Sequence, residues 1–84
     1  MLMHAGRDFV LNTRDIVGFF DLDSTSPGHI TREFLAVAER EGAVVDLSED
    51  LPKSFILTDF PTETVYVTEL STAALKGRAE KLSL

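Results

Sequence analysis

Few side chains in this chain of 84 residues have the types and spacing for bond-making chemistry. His4 and His29 are the only histidines. One falls in a strand-like segment and the other near a helix start, and nothing supplies the further convergent ligands a metal needs. Asp21 and Asp23, in "DLD", could suggest a Mg²⁺ pair. A hard cation takes more oxygen ligands than these two carboxylates bring, so solvated acids flanking a loop are the plainer reading. Ser71 and Thr72 have no base beside them and read as a helix cap, not a nucleophile. The glycines never fall into GxGxxG or GxxxxGK, the loops that cradle phosphate. The chain has no cysteine, which removes disulfides and thiolate metal sites. The residues predict a protein that is no enzyme and carries neither metal nor cofactor.

What remains is charge. The basic residues are Arg7, Arg14, Arg32, Arg40, Lys53, Lys76, Arg78 and Lys81, against 14 acids, for a net charge of −6 and a pI near 4.7. This balance argues against non-specific binding to nucleic acid, which runs on phosphate neutralisation, but leaves room for a local basic patch. Arg32 and Arg40 lie close to acids on one predicted helix, where surface pairing is their simplest role. Lys76, Arg78 and Lys81 read as the solvated side of another. Arg7, Arg14 and Lys53 fall on turns, where binding residues are commonly placed. Arg7 adjoins Asp8 and Arg14 adjoins Asp15, so local neutralisation stands beside phosphate contact as a reading of each.

These cations must be positioned by a small frame. A chain of this length is one domain, residues 1–84, and buries only about 60% of its unfolded surface. Packing or oligomerisation must supply the rest of its stability. "LMHAG" and "DFVLN" read as two strands joined by a tight turn at Gly6-Arg7-Asp8. In "NTRDIVGFF", Thr13 could cap a helix, but Gly18 would then sit mid-helix at a cost of about 1 kcal/mol. Val17, Phe19 and Phe20 prefer extended structure. A turn over 12–15 and a buried strand over 16–22 follow, with Arg14 directed outward from the turn.

Ser26-Pro27 reads as an N-cap with proline in the first turn of a long helix. Ile30, Phe34, Val37 and Ala38 form its apolar face, with Leu35 at the edge and Gly42 ending it. "AVVDL" is a strand and "SEDLP" a polar turn. "SFILTD" and "ETVYVTEL" form a hairpin across "FPT". In the latter, Thr64, Tyr66 and Thr68 share one face and Val65 and Val67 the other. Ser71 caps a last helix with Leu75, Ala79 and Leu82 as its stripe. The predicted order is β-β-β-α-β-β-β-α. The fold class is α+β: a mainly antiparallel sheet of about five to six strands, one long helix and a short C-terminal helix. No basic leader followed by an apolar core opens the chain, and no apolar run reaches the roughly 20 residues of a membrane span. A cytoplasmic protein is expected.

The stretches "DFVLNTRDIVGFFD", "FL…AEREGAVVDLSEDLPKSFILTD" and "VYVTELSTAALKGRAEKL" resemble, in order, type and spacing, the bacterial extracellular-matrix regulators of the RemA/RemB family. The chain looks most like the RemB (YaaB-like) branch. The resemblance implies a DNA-binding transcriptional regulator of biofilm-matrix genes. It also implies a homo-oligomer, a ring in RemA-like members, that presents repeated basic sites to DNA. By the same resemblance Arg14 in "TRDIV" and Lys53 in "PKSFILTD" match the family's basic positions; in a DNA-binding reading they contact phosphates, with the turn residue Arg7 as support. The chain departs from the RemA branch at "SEDLP", where Glu49 and Asp50 stand in place of a cluster of arginines. That reversal fits either DNA binding that depends on avidity or an oligomeric adaptor that binds protein and not DNA.

Overall fold

The computed structural model describes residues 1–22 and 28–82, with side chains at all of these except 28–31 and 81–82. Strands β1 (Leu2–Gly6) and β2 (Phe9–Asn12) are followed by a 3-10 turn at Thr13–Asp15 and by β3 (Ile16–Asp21). Helix α1 (Gly28–Arg40) leads to β4 (Val44–Asp46), β5 (Ser54–Thr58), β6 (Thr64–Thr68) and α2 (Thr72–Leu82). The order of elements is the one the sequence predicts. The expected cap at Ser26-Pro27, residue Asp23, and the side chains of His29, Ile30, Lys81 and Leu82 lie outside the described residues.

Two features of the predicted architecture need correction. The strands do not form one sheet: β3-β5-β6-β4 make a four-stranded sheet, and β1-β2 a separate two-stranded one. The reason is burial. Met3, Ala5 and Leu11 point to one side of the β1–β2 hairpin, and packing that side flat on the larger sheet hides all of them, as an edge position could not. The C-terminal helix is also not short, having 11 residues against 13 in α1. Ser71 caps it, its Oγ accepting from Ala74 N at 3.1 Å, and Leu75 is wholly buried.

The four-stranded sheet is antiparallel at β3–β5 and β5–β6 but parallel at β4–β6. Gly42, at a φ of 72°, turns the chain out of α1 at the end where β6 also begins, so β4 and β6 run the same way.

Both faces of the sheet are covered. Phe55, Val65 and Val67 face α1, where Ala38 is buried and Phe34 and Leu35 are half-buried. Val37, expected on that apolar face, is 42% exposed. The buried stripe runs through 34, 35 and 38, which turns Val37 off it. Ile56, Val45 and Tyr66 face the hairpin and α2. The alternation expected along β6 is therefore correct, and both of its faces are used. In β3 the register shifts between Ile16 and Gly18, leaving Val17 as an extra residue. That bulge lets Ile16 and Phe19 reach the same core despite their odd spacing. Buried hydroxyls are paired: Thr68 Oγ1 donates to Ala5 O at 2.9 Å and Ser54 Oγ to Leu70 O at 2.5 Å. The first of these ties the hairpin to the sheet.

Candidate nucleic-acid interface

Arg14 stands on the 3-10 turn between β2 and β3. Asn12, not Thr13, caps that turn, its Oδ1 accepting from Arg14 N at 3.2 Å. Thr13 N and Oγ1 both donate to Met1 O, at 2.7 and 3.2 Å. Asp59 N donates to Asp15 O at 3.1 Å, which fastens the other side of the turn. The backbone beneath Arg14 is thus fixed while its side chain is 78% exposed, as the sequence predicts. The guanidinium has an acidic neighbour in Asp15, whose Oδ1 is 3.8 Å from Nε.

Lys53 opens β5. Its N donates to Thr68 O and its carbonyl accepts from Leu22 N, both at 2.9 Å. The side chain is exposed above this doubly anchored backbone.

Arg7 occupies the turn between β1 and β2 with a φ of 49°, a left-handed conformation uncommon for a residue with a side chain. Two bonds hold it there. Its Nη2 donates to Ser48 O at 3.0 Å, and its carbonyl meets His4 Nε2. Arg7 therefore grips the 47–53 loop, and its partner is a carbonyl, not the adjacent Asp8. In that loop Asp46 Oδ1 accepts from Ser48 N at 2.9 Å and from Ser48 Oγ at 2.5 Å. The Ser48 hydroxyl bond, then its amide bond, and less strongly the charge of Arg7, hold the Asp46 carboxyl below its ordinary value.

The register of the sheet places these cations. Ile16 faces Thr58, and Asp21 faces Ser54. Arg14 lies two residues before β3 and Lys53 one residue before β5, so they lie at opposite ends of an antiparallel pair, roughly 16 Å or more apart at about 3.3 Å per residue. The Ser48 contact puts Arg7 at the Lys53 end. One subunit brings Arg7 and Lys53 to a common end and leaves Arg14 at the other.

The structure also brings together two residues the sequence reading set apart. Arg78, taken for a solvated helix residue, reaches back to β1. Its Nη1 donates to His4 O at 3.0 Å and lies 3.2 Å from His4 Nδ1. The partners are 74 positions apart. The signal available in the sequence was slight: His4 falls on the outward parity of β1, and α2 carries its cations on one side. Among the described residues no group of three or more His, Cys, Asp or Glu side chains could hold a metal. No described helix is long and apolar enough to cross a membrane.

The molecule is a small α+β domain with a helix on one face of its main sheet, a hairpin and a helix on the other, and cations on turns at both ends. No family model matches the chain. It is 41% identical over 81 residues to extracellular matrix regulatory protein B of Bacillus subtilis (strain 168), a match covering 95% of this chain and 91% of that protein. The chain belongs to the family of that regulatory protein, the RemB-like family.

Proposed function

We propose that this protein is a DNA-binding transcriptional regulator of extracellular-matrix genes, acting in the cytoplasm as a homo-oligomer without catalysis. The relative's name supports the regulatory role. The observation that carries the DNA reading is Arg14: a guanidinium 78% exposed on a backbone pinned from both sides. Such a side chain reaches a phosphate without first having to order its base. Phosphate contacts position a protein without reading sequence, so specificity rests on DNA shape and spacing.

One such contact is weak against a net charge of −6. Repetition around an oligomer raises it, because each further contact forms at high effective concentration. Lys53 and Arg14 lie at opposite ends of each subunit. An end-to-end, heterologous assembly sets the Lys53 end of one copy beside the Arg14 end of the next. Leu51, 77% exposed, and Phe60, 63% exposed, supply apolar surface at those two ends.

A second reading, an oligomeric adaptor that binds protein and not DNA, is favoured by exposed Glu49 and Asp50 beside Leu51. Fluorescence anisotropy with promoter-length DNA, from low to physiological salt, separates the two. Binding that weakens with salt and is reduced in Arg14→Ala supports the regulator. Absence of binding at low salt leaves the adaptor.

A further inference from the structure

We propose that Arg78, together with Arg7 and held in place by His4, forms a phosphodiester-contact site on the outer side of the β1–β2 hairpin and α2, distinct from Arg14. The inference rests on the DNA-binding reading above and deepens it by naming a second contact surface.

The first support is how the charges are held. Arg14 is ion-paired with Asp15, at 3.8 Å. Arg7 and Arg78 are fastened by carbonyls instead: Nη2 of Arg7 by Ser48 O at 3.0 Å, and Nη1 of Arg78 by His4 O at 3.0 Å. A carbonyl fixes a guanidinium but does not cancel its charge. A guanidinium carries five N–H donors, and each of these anchors uses a single nitrogen, so donors remain for phosphate oxygens. Asp46 couples to Arg7 and offsets part of its charge, but its hydrogen bonds go to the Ser48 amide and hydroxyl, so it takes no N–H from the guanidinium. Asp8 and Glu80 are exposed, with no ion pair to either arginine.

The second support is that one imidazole joins both arginines. His4 Nε2 meets the Arg7 carbonyl, and Nδ1 faces Arg78 Nη1 at 3.2 Å. The carbonyl can only accept and the guanidinium can only donate, so the ring bridges them as the neutral Nε2–H tautomer. His4 is thus a positioning residue. It fixes the Arg7 turn with one nitrogen and steers Arg78 with the other. The result is a pair of arginines each anchored before a ligand arrives, Arg7 on Ser48 O and Arg78 on His4 O, which lowers the ordering cost of binding.

The test compares wild type, Arg78→Gln, Arg78→Lys and Arg14→Ala by anisotropy with a fluorescein-labelled duplex across a salt series, with thermal melts alongside. Gln keeps an N–H for the His4 carbonyl but removes the charge. Arg78→Gln is expected to bind about 3- to 10-fold more weakly at low salt, and its log–log salt slope to fall by about one. Arg78→Lys should recover the slope. Wild-type affinity and slope in Arg78→Gln, with loss confined to Arg14→Ala, overturns this site and leaves the DNA reading standing. Equal loss in the Gln and Lys variants means that position and not charge matters, and also overturns it. A wild type that does not bind at low salt overturns both.

Discussion

Nη1 of Arg78 lies 3.2 Å from Nδ1 of His4 and donates to the His4 carbonyl at 3.0 Å, so a single guanidinium nitrogen joins α2 to β1. The hairpin is otherwise fastened to the body by Thr68 Oγ1 on Ala5 O, by Arg7 on Ser48 O, and by the apolar contacts of Met3, Ala5 and Leu11. Each polar tie is a separate point at which the hairpin layer can be loosened.

Arg78→Ala is expected to destabilise the fold by about 0.5–1.5 kcal/mol, the usual net worth of a hydrogen bond that water can replace. Urea denaturation measures it. The same bonds fix the His4 ring, so long-range ¹H–¹⁵N spectra at mildly alkaline pH should show a protonated Nε2 and a bare Nδ1. An Nδ1–H tautomer would break the assignment of His4 as the bridge.

Acid should act through Asp46. Its carboxyl is held below the ordinary value by the Ser48 hydroxyl, the Ser48 amide and the charge of Arg7. A depressed folded-state value stabilises the protein above the unfolded carboxylate range, and that contribution is lost as pH falls through the lowered value. Ser48→Ala removes the leading cause. The variant should be less stable than wild type at neutral pH, and the two should converge as the medium is acidified below about pH 4. Urea midpoints at several pH values test this, and a constant difference across the series would contradict it.

Two glycines predict opposite outcomes. A Cβ on Gly77, in α2, would meet nothing within 4 Å, so Gly77→Ala should gain up to about 1 kcal/mol from helix propensity. Gly6 has a φ of 146°, and a Cβ there would lie 3.2 Å from Thr68 Oγ1 and 3.3 Å from Leu47 Cβ. Gly6→Ala should cost roughly 1–3 kcal/mol through backbone strain and displacement of the hairpin. Thermal melts of both variants decide it, and a stabilised Gly6→Ala would mean that the hairpin is not pressed against β6 and Leu47.

The residues state the elements plainly because local patterns decide them. Val65 and Val67 alternate with Tyr66, Ser71 stands one residue before α2, and Gly42 two residues after α1. The partition into two sheets was not legible. The alternation of Met3, Ala5 and Leu11 says that one side of the hairpin must be buried, but not whether a sheet edge or a sheet face will bury it. Arg14 and Lys53 could be found as turn cations, whereas their separation follows from strand register, which single strands do not encode. The Arg78–His4 contact depends on where α2 crosses β1, and that is set by packing across 74 positions.

The opposite placement of Leu51 and Phe60 makes the proposed assembly testable without DNA. Both side chains are largely exposed, so neither supports the core of a lone subunit, and replacing either with Asp should leave the fold intact. A heterologous interface joins one end of a subunit to the other end of its neighbour, so spoiling either end breaks every contact in a homogeneous assembly. Leu51→Asp and Phe60→Asp should each run as monomers by light scattering. Mixed together, each variant still owns one sound end. A Leu51→Asp subunit offers its Phe60 end to the Leu51 end of a Phe60→Asp subunit, and the chain stops there. The mixture should therefore form heterodimers and nothing larger. A two-fold, isologous interface built on one of these ends predicts otherwise: the variant spoiled at the other end stays oligomeric alone, and mixing adds nothing. Variants that both keep the wild-type mass would place the interface elsewhere on the domain.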